Sequence, residues 1–212
     1  PYKLQYPLTV GYWRIECGPI SSVAQIYDYM PTPCGKVLKG IMEVRIDSSD
    51  PYNVTGEIQV RGENVMAGYY KNEDATKAAF TEDGWLKTGD LGTIDKNDRI
   101  FIRGRCKSML LGPNGQNIFP EELESRLNNM PFVLESLVVE RSGRLVALVY
   151  PDYEAMDVAG ISQEMLPSIM EEHKSALNKI VAAYENIAAI HIYPKEFEKT
   201  PKKSIKRYLY EA

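Results

Sequence analysis

The sequence predicts a mixed α/β protein in two parts: an antiparallel β-barrel-like subdomain over residues 1–104, then a small α+β domain over residues 105–212. Three observations carry this expectation. From Gly35 to Arg103, short runs of alternating apolar residues are separated by turn residues, the spacing of an antiparallel sheet. After Arg105 the apolar spacing lengthens to a helical period. Between the helical stretches, two apolar runs flank Ser142-Gly143, the signature of a hairpin.

The first segment, Pro1 to Val10, carries no start signal, and an element ending at Val10-Gly11-Tyr12 reads as though continued from a longer protein. The expected strands are Val37-Leu38, Ile41 to Ile46, Gly56 to Val60 and Arg99 to Ile102. One helix interrupts them: Asn72 can cap Glu73 to Phe80, with Glu73 and Asp74 complementing the positive helix end. Asp83-Gly84 and Lys96-Asn97-Asp98 make turns.

In the second part, Pro120 suits a first helical position, Glu121, Glu122 and Glu124 favour the N-terminus, and Leu123, Leu127 and Met130 share a face. Pro131 closes that helix. The hairpin pairs Leu137 to Glu140 with Arg144 to Tyr150. A long helix is expected along Ile161, Met165, Ile169, His173, Leu177, Ile180 and Tyr184, started or kinked at Pro167. Met165, Met170 and His173 read as core or edge residues of that helix. Ile187 to Tyr193 reads as a last strand.

Composition narrows the function classes. The 212 residues are 44% apolar and 25% charged, an ordinary globular balance. A net charge of −4 with scattered basic residues argues against a nucleic-acid partner. No apolar run approaches the ~20 residues of a membrane span, and the start has no signal-peptide pattern. Three cysteines, Cys17, Cys34 and Cys106, lie far apart without CxxC spacing and read as reduced thiols of a cytoplasmic protein. Two histidines leave little material for a zinc site or a serine–histidine triad.

The residues that carry chemistry are four short signatures in order: Gly56-Glu57-Ile58-Gln59-Val60-Arg61-Gly62, Gly68-Tyr69-Tyr70, Gly84-Trp85-Leu86-Lys87-Thr88-Gly89-Asp90 and Arg103-Gly104-Arg105-Cys106-Lys107. Alone, Asp90 in Thr88-Gly89-Asp90-Leu91-Gly92 reads as an acid in a glycine-flanked loop. A carboxylate there can also accept two hydroxyl hydrogen bonds from one ribose. Arg105 offers a fork of donors suited to phosphate or ribose oxygens, or is an ordinary exposed arginine at a strand end.

Taken together, the four signatures resemble those of the adenylate-forming enzymes: acyl-CoA synthetases, peptide-synthetase adenylation domains and luciferases. The resemblance spans nearly the whole chain, is strongest from Gly56 to Glu124, and implies the C-terminal portion of such an enzyme. It implies that Asp90 holds the ribose hydroxyls of ATP, that Arg105 contacts the nucleotide, and that Lys107 is the hinge about which the C-terminal domain turns. The loop Gly112-Pro113-Asn114-Gly115-Gln116-Asn117-Ile118 corresponds to the family's glycine-rich loop along the pantetheine arm of coenzyme A, with Gly112, Gly115 and Gln116 lining it. Asn114-Gly115 and Pro120-Glu121-Glu122-Leu123-Glu124 are more similar to long-chain fatty acyl-CoA synthetases than to peptide-synthetase domains.

Two segments depart from the family pattern. The aromatic-Gly-x-Thr-Glu segment stands here as Tyr12-Trp13-Arg14-Ile15-Glu16. Tyr12 keeps the ring that stacks on adenine and Glu16 the Mg²⁺ carboxylate, whereas Trp13 and Ile15 replace the glycine and threonine. Near the end, Phe197 to Arg207 resembles the motif whose lysine bridges carboxylate and α-phosphate, but Ser204 stands in register, leaving Lys203 or Lys206 to serve; the same residues also suit a solvated basic tail.

The implied substrates are a carboxylate (a fatty acid), ATP with Mg²⁺, and coenzyme A. The family's phosphate loop belongs to the N-terminal part of the enzyme, so this chain alone is expected to be inactive. Two other readings stay open: a noncatalytic interaction module that kept the fold, and an adenylation domain that loads a carrier protein. A phosphate loop ahead of Pro1 favours the enzyme, and a carrier domain after Ala212 favours the last.

Overall fold

A computed structural model describes residues 11–18, 20–23 and 34–211. The segment Pro1 to Val10, read above as carrying no start signal, lies outside these residues. The chain divides into two compact units, Pro1–Lys107 and Ser108–Ala212.

The first unit is built on strands. β1 (Gly11–Trp13), β2 (Ile20–Val23) and β3 (Lys36–Val37) form one antiparallel sheet, and β4 (Met42–Asp47), β5 (Gly56–Gly62), β6 (Leu86–Ile94) and β7 (Ile100–Arg105) form a second in sequential order. Among the described residues both sheets are open rather than closed into a barrel. Each neighbouring pair in the second sheet is antiparallel; a short turn joins β6 to β7, whereas α1 lies between β5 and β6. Inward side chains of alternate residues make the core: Met42 and Ile46 from β4, Ile58 and Val60 from β5, Leu86 and Ile100, joined by Tyr12 and Cys17. Outside, Trp85 lies between the guanidinium groups of Arg45 and Arg61, 4.6 and 4.5 Å from its ring centroid, cation–π contacts that tie β4 and β5 to the start of β6. Helix α1 (Glu73–Ala79) forms where expected, and the Asn72 side chain caps it by accepting a hydrogen bond from the Ala75 amide at 3.0 Å.

One expectation fails in this unit. Thr88 to Gly92 is not a loop but the middle of β6. Its pairing with β5 jumps from Gln59↔Lys87 to Glu57↔Leu91, so three residues, Thr88 to Asp90, oppose the single residue Ile58. That bulge breaks the apolar alternation by which a strand is read from sequence.

The second unit is α+β. A short hairpin, β8 (Leu110–Leu111) and β9 (Asn117–Ile118), leads into helix α2 (Pro120–Asn128), which begins at its proline and stops three residues before Pro131. β10 (Val133–Arg141) and β11 (Arg144–Pro151) form the expected hairpin, with Ser142 and Gly143 both at positive φ, as a two-residue turn matching strand twist requires. β12 (Ile187–Ile192) then pairs parallel to β11. A parallel return needs a crossover, supplied by helices α3 (Tyr153–Ala159) and α4 (Leu166–Asn178).

That crossover corrects the expected single long helix. α3 is a separate helix, capped by the Asp152 side chain and ended by left-handed Gly160. α4 starts with Pro167 in its first turn, and its buried face is Leu166, Met170 and Leu177, with Ile169 partly buried. Met165 is half exposed, and Ile180 and Tyr184 lie beyond the helix and are exposed. His173 sits at the edge, with Nε2 2.8 Å from the Pro131 carbonyl oxygen.

Both faces of this sheet are covered. Val138, Leu145, Ala147 and Val149 pack with Leu123, Leu127, Met170 and Leu177 on one side. Leu137, Val139, Val146 and Leu148 pack on the other with Phe197, Tyr210 and partly buried Tyr193 and Ile205. The last segment of the chain is therefore a layer of the fold, and the two-sided burial explains why β10 and β11 read as continuous apolar runs.

Candidate functional site

In the first unit the site residues collect around Asp90, which is buried in the β6 bulge. Gly89 makes the bulge possible: its φ of +70° lies in the left-handed region that glycine enters without a Cβ penalty. Gly92 is required for a different reason, since a Cβ there would come 2.4 Å from the Phe101 carbonyl oxygen on β7. The backbone groups that the bulge frees are met by side chains. Thr88 Oγ1 donates to the Ile58 carbonyl at 2.6 Å, and the Gly89 amide donates to Glu57 Oε1 at 2.9 Å.

Three donors converge on the Asp90 carboxylate. The Tyr12 hydroxyl reaches Oδ2 at 2.5 Å, Arg14 Nη1 lies 3.2 Å from the same oxygen, and Arg105 Nε lies 3.0 Å from Oδ1. Arg105 is the cross-strand neighbour of Asp90, which is why β7 delivers it. Burial and the adjacent carboxylate push the Tyr12 phenol well above its ordinary value, so it remains a donor. Arg14 also donates to the Thr88 carbonyl, and its Nε lies 3.5 Å from Glu16 Oε2. Glu16 in turn accepts from the Tyr69 hydroxyl at 3.3 Å, within the second signature. Tyr12, Asp90, Arg105 and Glu16 are thus one constellation, and Arg14 is the member that sequence reasoning missed. Trp13 and Ile15, the two departures, point outward at 68% and 78% exposure.

Among the described residues no group of three or more His, Cys, Asp and Glu side chains could hold a metal alone. Glu16 supplies a single carboxylate, which fits a Mg²⁺ that arrives on nucleotide phosphates rather than one caged by protein.

The other predicted residues lie in two places. Lys107 is exposed and is the last residue of the first unit. In the second unit, Gly112 and Gly115 shape the β8–β9 turn: the Gly112 amide donates to the Gln116 carbonyl at 2.7 Å and the Gly115 amide to the Gly112 carbonyl at 2.9 Å. Gln116 Oε1 accepts from the Asn114 amide at 3.2 Å, holding its side chain inside the turn.

Lys203 and Lys206 belong to a second turn, closed by Thr200 N to the Ser204 carbonyl and Lys203 N to the Thr200 carbonyl, each 2.8 Å. Lys203 is exposed at its tip with φ +61°. Lys206 is more confined: its amide donates to the Glu198 carbonyl at 2.8 Å, and Nζ lies 3.5 Å from Glu198 Oε2.

No protein-family model matches the chain. Individual proteins do. The chain is 32% identical over 212 residues to 4-coumarate–CoA ligase CCL1 of Humulus lupulus, covering 95% of this chain and 37% of that enzyme. It is 36% identical over 217 residues to long-chain-fatty-acid–CoA ligase FadD15 of Mycobacterium bovis, covering 93% of this chain and 35% of that enzyme. The structure of o-succinylbenzoate CoA synthetase from Bacillus subtilis with its acyl-adenylate intermediate superposes with a TM-score of 0.78 over 98% of this chain and 42% of that one, at 26% identity.

The chain belongs to the adenylate-forming enzymes. It spans little more than a third of the length of the two ligases just named, and its fold is the one the C-terminal portion of these enzymes adopts. Members of the family with ATP bound, such as MatB from Rhodopseudomonas palustris, superpose over 96% of this chain with a TM-score of 0.72.

Proposed function

We propose that the chain is the C-terminal portion of an ATP-dependent acyl-CoA ligase that acts on fatty acids. The carrying observation is the convergence of Tyr12, Arg14 and Arg105 on one buried carboxylate, Asp90, in a glycine-opened bulge. A carboxylate so held is preorganised to accept the two hydroxyls of a ribose, and Arg105, on the exposed side, can exchange its carboxylate partner for a nucleotide oxygen. Tyr12, the aromatic residue expected beside the base, is nearly buried and serves the cluster through the hydroxyl that donates to Asp90. Glu16 and the nucleotide phosphates would hold Mg²⁺, which would supply charge neutralisation on the phosphates.

Two half-reactions follow. In the first, a carboxylate oxygen attacks the α-phosphorus of ATP and the bond to pyrophosphate breaks, giving an acyl adenylate. Lysine from the turn Thr200 to Ser204 offsets the negative charge that accumulates there, with Lys203 and Lys206 as its sources. In the second, the coenzyme A thiolate attacks the acyl carbon and AMP leaves. Gly112, Gly115 and Gln116 form the turn against which the thiol arm passes, and the change of partner is a rotation about Lys107 that exchanges one face of the domain over 105–212 for another. The phosphate loop and acyl pocket come from the N-terminal part of the same enzyme, working in the cytoplasm. Among the described residues no helix is long and apolar enough to cross a membrane.

The test is exchange of labelled pyrophosphate into ATP. The complete enzyme is expected to exchange with fatty acids in preference to coumarate, and this chain alone with neither. Metal-dependent exchange by the chain alone would overturn the division of labour.

A further inference from the structure

At the free edge of the second unit's sheet, Val138 turns its amide and carbonyl away from β11, and two side chains 83 residues apart take both. The Val138 amide donates to Glu124 Oε1 at 2.7 Å, and the Val138 carbonyl accepts from Arg207 Nη2 at 2.8 Å. The ring closes because Arg207 Nη1 donates to the same Glu124 oxygen at 2.7 Å. Both side chains are largely buried, at 20% and 12% exposure. A guanidinium fork suits this site, since its two Nη groups meet the carboxylate and the carbonyl at once. Three residues before Arg207 lies the lysine turn.

Its other strand is pinned as well. Lys199 Nζ lies 2.7 Å from Glu135 Oε1 on the same β10 strand, and Lys199 bridges to Ile205 across the turn. The Glu198 amide donates to the Tyr210 hydroxyl at 2.7 Å, and Tyr210 packs edge-on against Phe197. The turn is therefore fastened at both ends to one strand edge, while its tip is exposed. Among the described residues no carboxylate pairs with Lys202 or Lys203, whereas Lys206 Nζ lies 3.5 Å from Glu198 Oε2.

We infer that Glu124 and Arg207 are positioning residues that fix the lysine turn against β10 and so present the Lys203 ammonium, rather than that of Lys206, to the reacting groups. This rests on the ligase reading above, in which a lysine of this turn serves adenylate formation. Lys203 accepts a left-handed backbone, costly for a residue with a Cβ, in a turn whose residues 201–204 are all exposed.

The inference is tested in the complete enzyme with Arg207→Lys, Glu124→Gln and Lys203→Gly. Arg207→Lys keeps the charge and loses the fork. Glu124→Gln keeps an acceptor for the Val138 amide and guards against a variant that fails to fold. In both, hydrogen exchange at the Thr200, Lys203 and Lys206 amides is expected to quicken at least tenfold while the β10–β11 ladder keeps its protection. Adenylate formation should fall at least tenfold, with thioester formation from supplied acyl adenylate within twofold of the parent. Lys203→Gly relieves the left-handed backbone, so the turn should keep its protection while adenylate formation alone is lost.

Unchanged exchange at the turn in both clamp variants would refute the clamp. Equal loss of both half-reactions would reduce it to a stabilising contact. Full adenylation by Lys203→Gly would remove the lysine's role, and with it the ligase reading of this turn, even if the exchange data showed the clamp intact.

Discussion

Asp90 and Glu124 are both nearly buried carboxylates met by arginine, but they are built for opposite ends. Asp90 sits in a bulge, and one of its partners, Arg105, is 63% exposed on the strand beside it. Arg105 can turn to water while the buried carboxylate keeps the Tyr12 hydroxyl and Arg14 as partners. Glu124 and Arg207 are instead locked by the backbone of Val138 as well as by each other. Opening them leaves a buried carboxylate, an edge amide and an edge carbonyl without partners. The first arrangement suits ligand exchange and the second suits a fixed frame. The difference lies in what else each charge touches, not in the charges themselves.

The largest effect that would sharpen this contrast is expected between the two regions. Proline at Lys107 fixes φ near −65° and removes an N–H, which bars one of two orientations if the rotation occurs there. In the complete enzyme Lys107→Pro should retain acyl-adenylate formation and abolish thioester formation. Equal loss of both, or of neither, places the pivot elsewhere.

A smaller, purely energetic effect distinguishes the two carboxylates. Glu124→Ala breaks a buried pair, which typically costs about 3–5 kcal/mol, so the denaturation midpoint of the second unit should fall steeply. Arg105→Met removes a 63% exposed partner while Asp90 keeps Tyr12 and Arg14, so it should cost much less stability than Glu124→Ala. Comparable losses in the two variants would erase the distinction.

The smallest effect is a pH dependence. Burial raises the Glu124 carboxyl above the usual carboxylate range, against the lowering pull of Arg207 and the Val138 amide. The folded chain then binds this proton more tightly than the unfolded chain. Stability from this group is present at low pH and declines as pH rises from the ordinary carboxylate value through the raised one. Denaturant titrations across that range should show the decline in the parent and its absence in Glu124→Gln.

These features were unequally legible in the sequence. Asp90, Arg105, Tyr12 and Glu16 could be singled out because motif spacing survives whatever the backbone does. The strand that carries Asp90 could not, since the bulge opposite Ile58 destroys the two-residue period. Arg14 stood at a variable position of its motif, and only the fold brings it between Asp90 and Glu16. Helix α3 was missed although Asp152 and Gly160 mark its ends, because seven residues are too few to establish a period. The α4 stripe was set one residue early, at Met165 rather than Leu166, because apolar residues at both positions satisfy a helical repeat. The Glu124–Arg207 contact spans 83 residues, beyond the reach of any local pattern.

The most direct test of the Asp90 reading is calorimetric titration of ATP into the complete enzyme and its Asp90→Ala variant. Hydrogen bonds to a charged group contribute about 1.5–3 kcal/mol each, so removing two ribose contacts should weaken binding by tens-fold or more. Circular dichroism should show the β6 sheet retained. Parent-like ATP affinity in Asp90→Ala would contradict the account, leaving Asp90 as the carboxylate that holds a bulge together and nothing more.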